Sequence, residues 1–192
     1  MAAGEDGIVY AVNDSFYAYQ PTIFTIDTNV TPAQITNALP VTRGGVAAQK
    51  LDLEGITLDG EGGLWLASEG RTDRMIAHGI YHVDSDGVID EEISLPADLL
   101  AVEKRFGFEG ITLVDGTLWM AVQREWADDP ADHVKLVAYN IASGEWGAVL
   151  YPKAVADTGW VGLSEIVAHN GDFYVIERDN QIGANAKVKM VY

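Results

Sequence analysis

The sequence predicts an all-β chain of β-propeller type, and three observations predict it. A Glu-Gly strand motif recurs: Leu53-Glu54-Gly55-Ile56-Thr57-Leu58 returns as Phe108-Glu109-Gly110-Ile111-Thr112-Leu113, and more weakly as Leu163-Ser164-Glu165-Ile166-Val167-Ala168. A second motif follows each copy, at Leu64-Trp65-Leu66-Ala67, Leu118-Trp119-Met120-Ala121 and Phe173-Tyr174-Val175-Ile176, with a fourth copy at Ile8-Val9-Tyr10-Ala11. Asp-Gly or Asn-Gly turns, which tolerate positive φ, join the two motifs at Asp115-Gly116 and Asn170-Gly171. Two independent motifs holding one period mark a repeat architecture. Short antiparallel strands, about four to every 55 residues, are the pattern of propeller blades. A β-sandwich needs no such repetition.

The elements follow in order. Units are expected at about 1–50, 51–105, 106–160 and 161–192, together forming one domain over 1–192. Each unit places its two motif strands side by side. A third strand follows at Thr22–Asp27, Gly79–Asp84, Lys135–Asn140 and Lys187–Tyr192, rich in β-branched and aromatic residues. Fourth strands are expected at Ala33–Val41, Val88–Leu95 and Glu145–Tyr151. Asp84-Ser85-Asp86-Gly87 reads as a hairpin turn, because the residues after it lack the spacing of an EF-hand. Ala97–Lys104, preceded by Pro96, is the one expected helix. The Glu-Gly strand of the first unit would fall before residue 1, and no fourth strand follows Tyr192. The ring is therefore expected to be incomplete, with open sheet edges that a second copy or another partner would cover.

Charge narrows the function. Asp and Glu number 29 against 12 Lys and Arg, a net charge of −17. So acidic a chain is a poor nucleic-acid or anionic-membrane binder. No apolar run approaches membrane-span length, and the start has no signal-peptide pattern. With no cysteine, disulfides, thiolate metal sites and cysteine nucleophiles are excluded. His78 and His82 stand four apart, but across an expected strand rather than a helix, so they do not make a zinc-hydrolase His pair, and no Gly-x-Ser-x-Gly elbow is present.

Two sets of residues can carry chemistry. Glu54, Glu109 and Glu165 read as equivalent positions on three first strands. Carboxylates converging there would suit a hard cation such as Ca²⁺, or would accept backbone N–H bonds and fix blade geometry. The second set lies at the ends of the second strands, where Asn13-Asp14, Glu69-Gly70, Gln123-Arg124 and Arg178-Asp179 are polar and differ between units. Arg124 and Arg178, with Glu177 and Asp179 beside them, form a candidate site for an anion, because guanidinium forks match phosphate and carboxylate oxygens. The alternative is plain salt bridging to the neighbouring acids. Trp65 and Trp119 read as packing residues, whereas Trp126, Trp146 and Trp160 lie nearer loops.

The Glu109–Leu113 signature with Leu118-Trp119, and Gly162–Ile166 running into Ile176-Glu177-Arg178-Asp179-Asn180 and Ala186-Lys187-Val188-Lys189, resemble the phytase-like family, named for esterase-like activity of phytase. The likeness spans residues 50–192 well and the first fifty through the repeat. It implies a longer, secreted or periplasmic propeller that hydrolyses phosphoesters or carboxyesters, with a small anionic substrate and possible Ca²⁺ dependence. It supplies no catalytic residue set. A non-catalytic propeller that binds a ligand or protein, or a structural fragment of a larger ring, is the competing expectation.

Overall fold

A computed structural model describes residues 1–14, 20–71, 74–103 and 105–192. By their internal contacts they divide into two compact units, Met1–Leu95 and Pro96–Tyr192. The chain is all-β, and its four main sheets are blades of propeller type, two in each unit.

In the first unit, β1 (Ala2–Ala3), β2 (Ile8–Val12), β3 (Thr22–Asp27) and β4 (Gln34–Pro40) pair antiparallel in chain order. A small hairpin, β5 (Thr42–Arg43) and β6 (Val46–Ala47), leads to the second blade. That blade is β7 (Leu53–Leu58), β8 (Leu64–Ser68), β9 (Gly79–Val83) and β10 (Ile89–Ser94), again in chain order. Tyr10 and Val12 pack against a buried cluster that includes Ile23, Val41, Leu53, Ile56, Leu64 and Leu66. Each such side chain taken from water contributes roughly 1.5–3 kcal/mol. The turn into β8 is tied by Asp59, whose Oδ1 accepts the N–H groups of Glu61, Gly62 and Gly63. Asp84 closes the next hairpin in the same way, accepting from Asp86 and Val88.

The second unit opens with α1 (Ala97–Val102), which follows Pro96 and buries none of its residues. It ends where Glu103 turns to ψ 150°, short of the expected Lys104, which lies outside the described residues. The third blade is β11 (Phe108–Val114), β12 (Thr117–Val122), β13 (His133–Asn140) and β14 (Trp146–Pro152). The fourth is the three-stranded β15 (Val161–His169), β16 (Asp172–Asp179) and β17 (Lys189–Val191). Trp119 and Ala121 pack against Leu163, Ile166 and Val175, and the Trp119 and Phe173 rings meet at 5.3 Å. Both predicted two-residue turns take positive φ, 47° and 72° at Asp115-Gly116, 53° and 87° at Asn170-Gly171. That is the geometry matching right-handed strand twist.

The register corrects three expectations. The first blade does hold a first strand, β1, because Ala2 and Ala3 pair with Tyr10 and Val9. The fourth motif copy is displaced by one residue. Tyr10 and Val12, not Val9 and Ala11, pack on the next blade as Trp119 and Ala121 do, so Val9–Val12 matches Leu118–Ala121. The third correction concerns the glutamates. Pairing slips between Leu53 and Gly55, between Phe108 and Gly110, and between Leu163 and Glu165. The bulged residues are therefore Glu54, Glu109 and Ser164, and Glu165 stands where the other blades have Gly55 and Gly110. A bulge adds one unpaired residue and re-aims its side chain, which is why counting glutamates along the chain misaligned them by one.

Candidate functional site

The end of β2 lies beside the start of β7, and three carboxylates gather there. Asp14 follows β2 and is exposed, Asp52 precedes β7 and is buried, and Glu54 is the β7 bulge residue. Asp52 is anchored on both sides: its N–H donates to Ser68 Oγ at 3.1 Å, and its carbonyl accepts from Glu69 N–H at 2.8 Å. The bulge re-aims Glu54. One oxygen of each carboxylate lies within 4.8 Å of the others. Oxygens that share one Ca²⁺ at 2.3–2.6 Å can lie up to about 5 Å apart, so the spacing and the all-oxygen donor set fit a hard cation.

The second unit does not repeat this cluster. The residues matching Asp14, Asp52 and Glu54 are Gln123, Gly162 and Ser164. A β-carbon on Gly162 would sit 2.8 Å from the Gln123 carbonyl and 2.9 Å from the Trp160 ring, so only glycine fits. Ser164 Oγ accepts from Arg178 Nε at 2.5 Å. No carboxylate occupies any of the three places.

The predicted site residues separate accordingly. Glu54 joins the cluster. Glu109 is buried and accepts from Gln123 Nε2. Glu165 Oε1 accepts its neighbour Ile166 N–H at 3.2 Å and lies against Gly110; burial holds its pKa above the usual carboxylate range. Among the described residues, neither Glu109 nor Glu165 belongs to a group of three metal-ligating side chains.

Alternation along β16 puts Arg178 on one face and Glu177 and Asp179 on the other. Glu177, 1% exposed, accepts from Tyr151 hydroxyl and Ala154 N–H, both at 2.8 Å. Burial, then this bond, raises the Tyr151 pKa. Asp179 is also buried. It accepts from Lys189 Nζ at 2.9 Å and from the N–H groups of Val188, Lys187 and Gln181, which together hold its pKa far below the usual carboxylate value. Both acids thus have structural duties, Asp179 inside the fourth blade and Glu177 in tying that blade to β14 of the third and to the connection after it.

Arg124 follows β12. Its guanidinium carbon sits 4.7 Å from the ring centres of both Phe106 and Trp160. Phe106 holds φ at +67°, a left-handed conformation that is strained for a bulky residue. Charge patterning pointed to Arg124, but nothing in the sequence marks a left-handed Phe106. Asp52 was equally hidden, since its only signal is that Gly107 and Gly162 replace it in the other units. Asp14 was visible only as part of a polar strand end.

The family described as phytase-like, esterase-like activity of phytase, matches residues 1–192. No curated protein matches. Among solved structures, the glutaminyl cyclase of Myxococcus xanthus is similar at 12% identity and a TM-score of 0.53, over 99% of this chain and 68% of that one. A europium-containing methanol dehydrogenase is more distant, at 11% identity and a TM-score of 0.41, over 92% of this chain and 34% of that one. At these identities the likeness to the cyclase is one of fold.

Proposed function

Because the chain belongs to the phytase-like family of esterase-like activity, we propose that it is a hydrolase domain for phosphoesters, assisted by a cation, Ca²⁺, held by Asp14, Asp52 and Glu54. The observation that carries this reading is that, among the described residues, the carboxylate cluster occurs once. A structural device of the repeat would recur at Gln123, Gly162 and Ser164, and it does not. Three negative groups this close repel one another, and a chain of net charge −17 repels a phosphoester as well. A bound divalent ion supplies the positive charge that relieves both repulsions and draws electron density from the scissile phosphorus–oxygen bond.

The chain's own residues do the positioning. Ser68 and Glu69 fix the Asp52 backbone, the bulge directs Glu54, and the exposed Asp14 closes the ligand set from the neighbouring blade. Glu109 and Glu165, which join no such group among the described residues, are given no part in this ion's shell.

Turnover of p-nitrophenyl phosphate and of phytate, measured with Ca²⁺ and with chelator, tests the reading. Ca²⁺ should restore activity after chelation, and Asp52→Asn should abolish the restoration. Ca²⁺ at a hundred times its Kd should also stabilise the parent by about 2.7 kcal/mol, and that gain should vanish in Asp52→Asn. Activity that survives both chelator and Asp52→Asn would overturn the cation assignment. Ca²⁺ binding without turnover of any ester would favour a non-catalytic binding module.

A further inference from the structure

We propose that Arg124 is the core of a second, metal-independent site in the second unit, a receptor for an oxyanion. The Arg124 guanidinium rests in the notch between Phe106 and Trp160, whose ring centres are 5.9 Å apart. Its Nε is buried and meets no hydrogen-bond acceptor among the described residues. Its two Nη groups are not buried in this way, and they make no hydrogen bond or ion pair there. Arg124 is thus a cation whose guanidinium lies on two aromatic rings and which feels the neighbouring Glu125 electrostatically, but whose Nη groups give no hydrogen bond to the described residues.

Three features show that this arrangement is built. Phe106 is held at φ +67°, a costly conformation for a bulky residue that persists only when its surroundings impose it. Its ring lies under the Arg124 guanidinium. The Trp160 ring lies over Gly162, the one residue type its closeness permits. The Arg124 N–H also donates to the Phe106 carbonyl at 3.4 Å, so residue and ring share one turn. Arginine stacked on aromatic faces keeps its fork oriented, and less side-chain freedom is lost when an anion arrives. Arg178 is different, since its Nε is already given to Ser164 Oγ. Of the two arginines that charge pattern singles out, Arg124 is therefore the one whose Nε is unbonded among the described residues and whose guanidinium is held between two aromatic rings.

The chemistry that fits is a planar or tetrahedral oxyanion taken end-on by the Nη pair, a phosphate or a carboxylate. This site does not depend on the Asp14–Asp52–Glu54 ion, and binding in chelator separates the two.

The test is calorimetric titration of the whole chain, in chelator, with inorganic phosphate in one arm and acetate in the other. Tryptophan fluorescence is followed in parallel. The parent should bind at least one of the two, with a fluorescence change that Trp160→Phe removes. Arg124→Gln should weaken binding about ten- to a hundredfold, the loss of a charge-assisted pair. Phe106→Gly, which suits the left-handed turn and removes one wall, should also weaken it while thermal unfolding shows a folded protein. Asp52→Asn should bind the anion like the parent even where it has lost hydrolysis. The proposal is overturned if neither anion binds in chelator, if binding needs Ca²⁺, or if folded Arg124→Gln binds as the parent does.

Discussion

Gly110 lies under the Glu165 carboxylate, and replacing it by alanine separates two opposed effects. Its φ is not left-handed, so conformational entropy alone predicts that Ala stabilises by about 0.5–1 kcal/mol. The structure predicts the reverse sign. The added β-carbon would run into Glu165 Oε1 and would lie 2.5 Å from Ile166 N and 2.8 Å from Glu165 Cα. Two of those three atoms are β15 backbone, held in the ladder with β16, so no side-chain rotation relieves the contact. Ordinary contact needs about 1 Å more. Overpacking of a fitted core costs about 1–3 kcal/mol, and this contact belongs at the upper end because backbone must move. The net expectation is a loss of about 1–2 kcal/mol, a large share of the usual 5–15 kcal/mol. Urea unfolding at unchanged slope measures it. Two controls keep the inference clean. Gly147 has open space and no left-handed φ, so Gly147→Ala should be neutral or mildly stabilising. Gly116 has open space but φ +72°, so Gly116→Ala should cost about 1–2 kcal/mol by conformation alone. A Gly110→Ala variant as stable as the parent, or Gly147→Ala as damaging as Gly110→Ala, would refute the reasoning.

Two further predictions concern bonds inside single units. His82 joins Asp90 at 2.6 Å and Asp59 at 3.1 Å; burial alone would lower its pKa, but these bonds outweigh it and raise the value. Its contribution to stability is complete below the ordinary histidine value near 6.5, and is lost as pH rises through the raised folded value. For Asp59, burial is outweighed by the bonds of Glu61 and His82, and its pKa falls. Its contribution is present above about 3.9 and is lost as pH falls through the folded value. Stability measured against pH should thus decline on both sides, and His82→Gln should flatten the alkaline decline; an unchanged profile would refute the clamp. Tyr151→Phe removes the hydroxyl that serves the buried Glu177, at an expected cost of about 1.5–3 kcal/mol, and a melt within error of the parent would show that bond to be dispensable.

The sequence alone determined the architecture, because a blade is built from local matters: hydrophobic alternation, Asn-Gly and Asp-Gly turns, and a motif repeating every 54–56 residues. Apart from β1 and the β5–β6 hairpin, which were not expected, the strands stand within three residues of their predicted places, since each pairs with its neighbour in the chain. What tertiary structure decided is register and company. A one-residue bulge leaves composition and spacing almost unchanged, yet it moved Glu165 to the glycine position and made Ser164 the partner of Glu54 and Glu109. Asp14 and Asp52 are far apart in the chain, so only the packing of β2 beside β7 shows their carboxylates sharing a site. Glu177 and Asp179 looked like solvent-facing partners for an anion because charge pattern carries no burial. Their partners, the Tyr151 hydroxyl, the Lys189 ammonium and four backbone N–H groups, are brought to them by pairing and packing that charge pattern does not show.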